Sequence, residues 1–229
     1  MSVNFSAGVL AVWTDVVTEH EVEFNSWYSE EHLPERLAIP GFCNVRRYAG
    51  LGSPKYLTYY ETQTADVLAP APYLERLANP SDWTRRVMKW FVATHRCACR
   101  VVANVGQGIG GVAQSITFSM GQAEEAPPAG VALGQWLSGK VLPEAASHLG
   151  CVRVQLWHCD ALITDQPNPE AALRPQRDSA ADWVILIEAV SETALQEILP
   201  PLEKTLHGTG VTQVRSQGPY QLLTYLRKK

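Results

Sequence analysis

Two copies of one β-α-β-β-α-β unit, closed on each other as an α+β barrel, are what the sequence predicts. Three observations predict it. Sliding the chain on itself by 109 residues matches Trp27/Trp136, Ser29/Ser138, Leu33/Leu142, Pro34/Pro143, Glu35/Glu144, Gly41/Gly150 and Val45/Val154, seven identities in the 22 positions from 27 to 48, without a gap. Further on the offset becomes 127, laying "YLTYYETQTADVL" (56–68) over "WVILIEAVSETAL" (183–195) and matching Glu61/Glu188 and Leu68/Leu195. Both copies then show the same order of strand-like and helix-like stretches. A period of about 110 residues marks a duplicated domain rather than a solenoid.

The elements follow in order. "AGVLAVWTD" (7–15) and "AQSITFSM" (113–120) are apolar, partly β-branched runs that suit first strands. Helical segments follow at about 19–37 and 130–147, then strands after a glycine, "FCNVRRYAG" and "CVRVQLWHC". Gly41 suits a backbone turn of positive φ before the second strand. A hairpin loop leads to the third strand, after which Thr64 and Ser191 occupy matching positions, each able to N-cap a second helix. The first copy adds a helical stretch at 79–91 with Ser81 as its cap; final strands are expected at about 94–104 and 219–226. Trp83 and Trp90, at i and i+7, read as core. The change of offset falls in "DALITDQPNPEAALRPQRDSA" (160–180), which reads as a longer, solvated loop in the second copy. The division is therefore residues 1–105, a glycine-rich linker at 106–111, and a second, degenerate repeat at 112–229. This is the ferredoxin-like split βαβ order, twice. Each such half leaves one sheet face uncovered, and the other half supplies the cover, enclosing a lumen.

Bulk properties narrow the function. The chain has 229 residues and a net charge of −4, with 46% hydrophobic and 18% charged residues. Neither half has the basic excess that a phosphate backbone or an anionic membrane surface attracts, so neither nucleic acid nor membrane is an expected partner. No apolar run approaches the roughly 18 residues that span a bilayer, and the N-terminus lacks the basic region of a signal peptide. A cytoplasmic location is expected. The five cysteines, at 43, 97, 99, 151 and 159, include no C-x2-C pair and read as small buried hydrophobes, Cys97 and Cys99 pointing to one face. The six histidines show no H-x-x-x-H spacing, and "GQGIGG" lacks the Lys-Ser/Thr of a phosphate loop, so no metal site is expected.

The stretch "FNSWYSEEHLPERLAIPGF" (24–42) carries the chemistry. Phe24, Trp27, Tyr28, His32 and Pro34 form F-x-x-[YW]-[YW]-x-x-x-H-x-P, which is similar to the helix motif of EthD-like proteins of the dimeric α+β-barrel superfamily, members of which are linked to ethyl tert-butyl ether degradation. The match covers about residues 7–105; the second copy keeps only the skeleton. The resemblance implies the fold, usually as a dimer of single-repeat chains, and a ligand cavity. It selects no reaction, since the superfamily spans isomerases, cyclases, monooxygenases and haem-handling enzymes.

The two copies act as an internal control. Groups kept in both, such as Trp27, Pro34, Glu35 and Gly41, read as scaffold; groups kept only in the first are site candidates. His32 is such a group, because Val141 replaces it. The Leu33–Pro34 step is expected to break the helix, leaving His32 at a C-terminal end that favours its protonated form, near half-charged at a pKa of about 6.5. Tyr28 lies on the same helical face and Glu31 is adjacent, giving a catalytic set of His32, Tyr28 and Glu31 that moves protons without a metal. On the second strand Asn44, Arg46 and Tyr48 share a lumen-facing side and are the substrate-binding candidates; Arg46 fits either a carboxylate or enolate oxygen or a salt bridge with Glu61. Tyr59 and Tyr60 stand on opposite faces, and the sequence leaves open which lines the lumen. No cofactor is expected; a haem, whose proximal histidine needs no short motif, is placed well behind. The reading is a cofactor-independent acid/base enzyme of isomerase, cyclase or lyase type acting on a small carbonyl or lactone compound, as a monomeric pseudo-dimer or a homodimer. The competing reading is a non-catalytic small-molecule-binding or structural barrel.

Overall fold

The computed structural model describes residues 7–69, 71–120 and 133–228. Its eight strands are β1 (Gly8–Val16), β2 (Phe42–Gly50), β3 (Tyr56–Thr62), β4 (Phe91–Gly106), β5 (Val112–Met120), β6 (Cys151–Cys159), β7 (Trp183–Ala189) and β8 (Val211–Arg227). They form one closed antiparallel barrel in the order β1-β3-β2-β8-β5-β7-β6-β4. Each half contributes a four-stranded sheet, β4-β1-β3-β2 and β8-β5-β7-β6, and the two sheets meet at β2·β8 and β4·β6. Closure leaves no free sheet edge.

The final strand of each half is longer than the sequence suggests, and the barrel explains why. The first part of β4 pairs with β1 of its own half, and Cys99–Gly106 then pairs with β6 of the other. In the same way β8 pairs first with β5 and then with β2. Each last strand serves two sheets, so it needs more residues than its own sheet requires.

Helices cover the outer faces. In the first half α1 (Glu21–Trp27) and α2 (Leu33–Ala38) flank a wide turn, Tyr28–His32, and α3 (Ala71–Ala78) and α4 (Asp82–Val87) follow β3. In the second, α5 (Leu133–Trp136) and α6 (Leu142–Ala146) flank the equivalent turn, Leu137–Val141; residues 130–132 of the expected helix lie outside the described residues. Short α7 (Ala161–Thr164) and long α8 (Glu192–His207) complete the set. Ser81 caps α4, accepting from Thr84 N–H at 2.9 Å, and Ser191 caps α8, accepting from Ala194 N–H at 3.3 Å. Thr64 departs from expectation: it precedes a single tight turn, Ala65–Leu68, and makes no side-chain cap bond.

The expected helix break at Leu33–Pro34 does not occur. His32 and Leu33 keep helical dihedrals, and the Leu33 N–H reaches Tyr28 O five residues back. A regular turn would press the Pro34 ring on the carbonyl four residues earlier; one turn of wider pitch relieves that clash without ending the helix. Pro143 is accommodated identically, with Leu142 N–H on Leu137 O.

Gly41 and Gly150 have φ of 88° and 84°, the conformation expected before each second strand. A Cβ on Gly41 would meet Val67 at 2.5 Å, and one on Gly150 would meet Ala194 at 2.8 Å. Gly41→Ala is therefore expected to cost about 1–3 kcal/mol, combining left-handed strain with the contact. Urea denaturation checks this; a loss below a few tenths would show that the turn relaxes freely.

Two cores pack between helices and sheets, one per half, and a third fills the lumen with Val9, Trp13, Tyr48, Tyr59, Trp157 and Leu186 among others. Tyr59 is thus the lumen tyrosine, and Tyr60 faces the helices. Cys97 and Cys99 share the lumen face. The barrel interior is a packed core rather than an open ligand chamber at this level. Trp27 anchors the helix in the first core, and Trp83 and Trp90 pack partly buried against it. Among the described residues no helix is long and apolar enough to cross a membrane.

Candidate active site in the first half

The structure divides the sequence-derived site residues between the two faces of one sheet. His32 and Tyr28 lie on the helix side, while Arg46, Tyr48 and Asn44 lie on the lumen side. Strand alternation makes that separation unavoidable, since β2 presents Val45 and Arg47 to the helices and its neighbours to the lumen.

In the lumen Arg46 Nη1 meets Glu61 Oε2 at 3.0 Å, and its Nε lies 3.6 Å from Glu188 Oε1. Arg153 Nη2 meets Glu61 Oε1 at 2.5 Å, and its Nη1 lies 3.9 Å from Glu188 Oε2. Two arginines and two glutamates so form a buried, charge-balanced ring across the halves. Tyr48 donates to Glu188 Oε1 at 2.7 Å, and Asn44 Oδ1 accepts from Arg46 at 3.4 Å. Burial pushes the Glu61 carboxyl up, but Arg153 and Arg46 more than reverse this and hold it below its ordinary value.

His32 is buried, its ring centroid 4.2 Å from Trp27, 5.2 Å from Tyr28 and 6.3 Å from Tyr60. Loss of the helix end removes the carbonyls expected to favour its protonated form. Instead burial, and then the charges of Arg36, Arg174, Arg76 and Arg47, push its pKa well below 6.5. The imidazole is neutral near pH 7, which corrects the half-charged expectation. Burial likewise pushes the Tyr28 phenol up, while the Arg47 guanidinium lies 4.2 Å over its ring. Tyr28 meets His32 edge-on, as packing. Glu31 turns away: its Oε1 accepts from Trp27 Nε1 at 3.2 Å, Ser81 Oγ at 2.5 Å and Thr84 Oγ1 at 2.8 Å, tying the first helix to α4.

The groups that do face His32 come from elsewhere. A crevice of about 20 Å³ is lined by His32, Tyr28, Arg36, Tyr60, Arg96 and Glu170, with further side chains. Four polar atoms of its lining have no hydrogen-bond partner: His32 Nδ1, Arg36 Nη1, Tyr60 OH and Arg174 Nε. Buried polar atoms are rarely left unsatisfied, so this convergence points to a polar ligand or water. Through Arg96, Asn168 and Arg174 the crevice adjoins a cavity of about 410 Å³ under the 160–180 loop, a size that suits a small ligand.

That loop is not simply solvated. Glu170, 3% exposed, pairs with Arg36, and Arg174 pairs with Asp178 while lying 5.0 Å over the Phe91 ring. The Glu170 charge outweighs burial and holds Arg36 cationic. The second half's extra residues thus roof the first half's crevice. Glu170→Ala is expected to release this roof locally, because freeing the segment lets Arg36 reach water at less cost than global unfolding. Limited proteolysis should then cleave within 160–180 faster than in the unaltered chain; an unchanged digestion pattern would argue against the roof.

Arg36 and Tyr60 escaped sequence reasoning, though the internal control held a signal for both. At the same offsets Tyr28, His32, Arg36 and Tyr60 lie over Leu137, Val141, Ala145 and Ile187, so each of these four polar groups is apolar in the second half. There a void of about 20 Å³ beside Val141 and Ala145 lies between α6 and α8, lined also by Ile198 and Leu202 and by the polar Glu144, His148 and Thr205. Glu170 and Arg174 have no counterpart to compare. Among the described residues no group of three or more His, Cys, Asp or Glu side chains is arranged to hold a metal ion.

No protein-family model and no curated protein matches the chain. Solved structures do match nearly its whole length. An anthrone oxidase-like protein superposes with a TM-score of 0.59 at 11% identity, covering 96% of this chain and 92% of its own. A protein from Lactobacillus acidophilus NCFM assigned as a monooxygenase gives 0.58 at 10% identity, covering 97% of each chain. A heme-binding protein from Thermus thermophilus gives 0.54 at 10% identity, over 98% and 92%. Identities this low carry the fold alone, and in fold this chain is a dimeric α+β-barrel protein with both halves on one polypeptide.

Proposed function

We propose that the chain is an EthD-like, cofactor-independent enzyme that moves a proton on a small carbonyl or lactone compound. The observation carrying this reading is the convergence of His32 Nδ1, Arg36 Nη1 and Tyr60 OH, all buried and unpartnered, on a crevice adjoining a 410 Å³ cavity. A neutral imidazole can take a proton from carbon beside a carbonyl. The Arg36 guanidinium, aligned by Glu170, then stabilises the enolate oxygen, with the Tyr60 hydroxyl as a second donor. The imidazolium so formed lies among arginines, which favours prompt return of the proton to the product. Arg46, Tyr48 and Asn44 take no part in this version, being held in the lumen ion ring. A haem is not part of it either, because the His32 ring lies against Trp27 and the crevice beside it holds about 20 Å³.

Deuterium exchange tests the reading. Small ketones, β-keto acids and unsaturated lactones are incubated with the protein in heavy water, and loss of the α-proton signal is followed by NMR. At least one compound should exchange about 10²–10⁴ times faster than in buffer. Absence of acceleration for all of them would sink the enzymatic reading. The smallness of the closed crevice favours a second reading, a non-catalytic small-molecule binder, which would show as ligand-dependent thermal stabilisation without exchange.

A further inference from the structure

Cys97, Cys99 and Cys159 meet in the lumen at the β4·β6 seam, away from the crevice around His32, and nothing in the proposed reaction uses them. All three are free thiols. Cys99 stands opposite Cys159 in register, and their Sγ atoms are 3.1 Å apart. Cys159 gives its N–H to Asp182 O, and Asp160 gives its N–H to Ala98 O. Cys99 and Cys159 therefore sit as a pair without mutual backbone bonds, where Cα atoms approach to about 4.5 Å. That spacing falls within the range a disulfide spans.

Cys97 differs from the other two in surroundings. Its Sγ accepts the Ala181 N–H at 3.4 Å and lines an opening of about 120 Å³ at the barrel mouth, with Trp13, His95, Ser119, Arg215 and Gln217. Hydrogen bonds from the Cys159 and Cys99 thiols, together with that N–H, pull Cys97 well below the ordinary thiol value against the effect of burial. Burial pushes Cys99 up, and the hydrogen bond with Cys97, then burial, pushes Cys159 up. A thiol of lowered pKa that lines the mouth and shares the lumen face with the Cys99–Cys159 pair is the arrangement that reacts with small oxidants.

We propose that Cys97, Cys99 and Cys159 form a hydroperoxide-reactive thiol site that ends as a Cys99–Cys159 disulfide across the barrel seam. The Cys97 thiolate attacks the peroxide oxygen; an S–O bond forms, the O–O bond breaks, and the departing hydroxide or alkoxide takes up a proton. Cys159, as thiolate, attacks the sulfenic sulfur, an S–S bond forms and water leaves with the proton Cys159 released. Cys99, losing its proton, then attacks Cys159, expelling Cys97, whose low basicity makes it the better leaving group. The sum is two thiols oxidised by two electrons and one hydroperoxide reduced to water and alcohol, or to two waters. The product covalently joins strands of the two halves.

The test treats the full chain with one equivalent of hydrogen peroxide, alkylates it after denaturation, and maps peptides with fragment spectra that separate Cys97 from Cys99. The unaltered chain and Cys43→Ser should give the Cys99–Cys159 link. Cys97→Ser should form it at least about tenfold more slowly. Cys159→Ser should give no link and leave a dimedone-trappable sulfenic acid at Cys97. A link formed equally fast in Cys97→Ser, or three thiols still alkylatable after peroxide, would overturn the proposal. Should Cys97→Ser fail to fold, iodoacetamide labelling of the native unaltered chain provides the same decision: Cys97 must be labelled first, and labelling without that preference would also overturn it.

Discussion

Replacing Glu188 with alanine is expected to cost about 3–5 kcal/mol of folding stability, the range for removing one partner of a buried ion pair. Glu188 is fully buried and serves four donors: Tyr48 OH at 2.7 Å, Gly110 N–H at 3.4 Å, and more loosely Arg46 and Arg153 at 3.6 and 3.9 Å. Its removal leaves two lumen guanidiniums sharing Glu61 alone. Glu188→Gln should cost less, since it keeps an acceptor for Tyr48. The combined Arg46→Met and Glu188→Leu change should recover much of the loss, because it removes charge of both signs together. Urea denaturation measures all three; a Glu188→Ala loss under about 1 kcal/mol would mean that water reaches the ring. The ring also contributes acid sensitivity. Glu61 is held below its ordinary 4.5, so its stabilisation is present above that pH and is lost as pH falls through the lower folded value.

His32→Val, which copies the residue of the second half, is expected to lower proton exchange by about 10²–10⁴ while leaving a folded protein. The structural cost should be about 1–3 kcal/mol, since the lost ring packs on Trp27, Tyr28 and Tyr60. Part of it is offset because the unpartnered Nδ1 goes too. The ring's burial, rather than a helix end, sets this cost. The pH dependence separates chemistry from packing. With the folded pKa well below 6.5, the unfolded chain binds a proton that the folded chain refuses, so stability falls as pH drops through 6.5 toward the folded value. The variant lacks that loss, and its deficit against the unaltered chain should shrink between about pH 7.5 and about pH 5.5. The acid limb of the exchange rate in the unaltered chain should lie below 6.5. A limb centred at 6.5, or a deficit constant with pH, would show that His32 titrates freely.

The duplication, the strand order and the positive-φ glycines were legible in the sequence by itself, because each rests on local pattern: alternation along a strand, a repeat at fixed offset, a turn only glycine suits. The comparison of copies singled out His32, and carried one turn further it holds the same signal for Arg36, where the second half has Ala145. Only the tertiary structure decided what surrounds them. The Leu33–Pro34 step predicts a helix end, but packing on the sheet keeps the helix whole through one widened turn. That choice buries the imidazole and reverses the charge state expected of it. Arg46 could face a ligand or a carboxylate on strand alternation alone; barrel closure brings Glu61, Glu188 and Arg153 around it. Glu170 and Arg174 lie more than 130 residues from His32 along the chain, in a stretch whose composition reads as solvated loop. Their place over the crevice follows from how the second half's extra residues lie across the first, a long-range contact that no local propensity encodes.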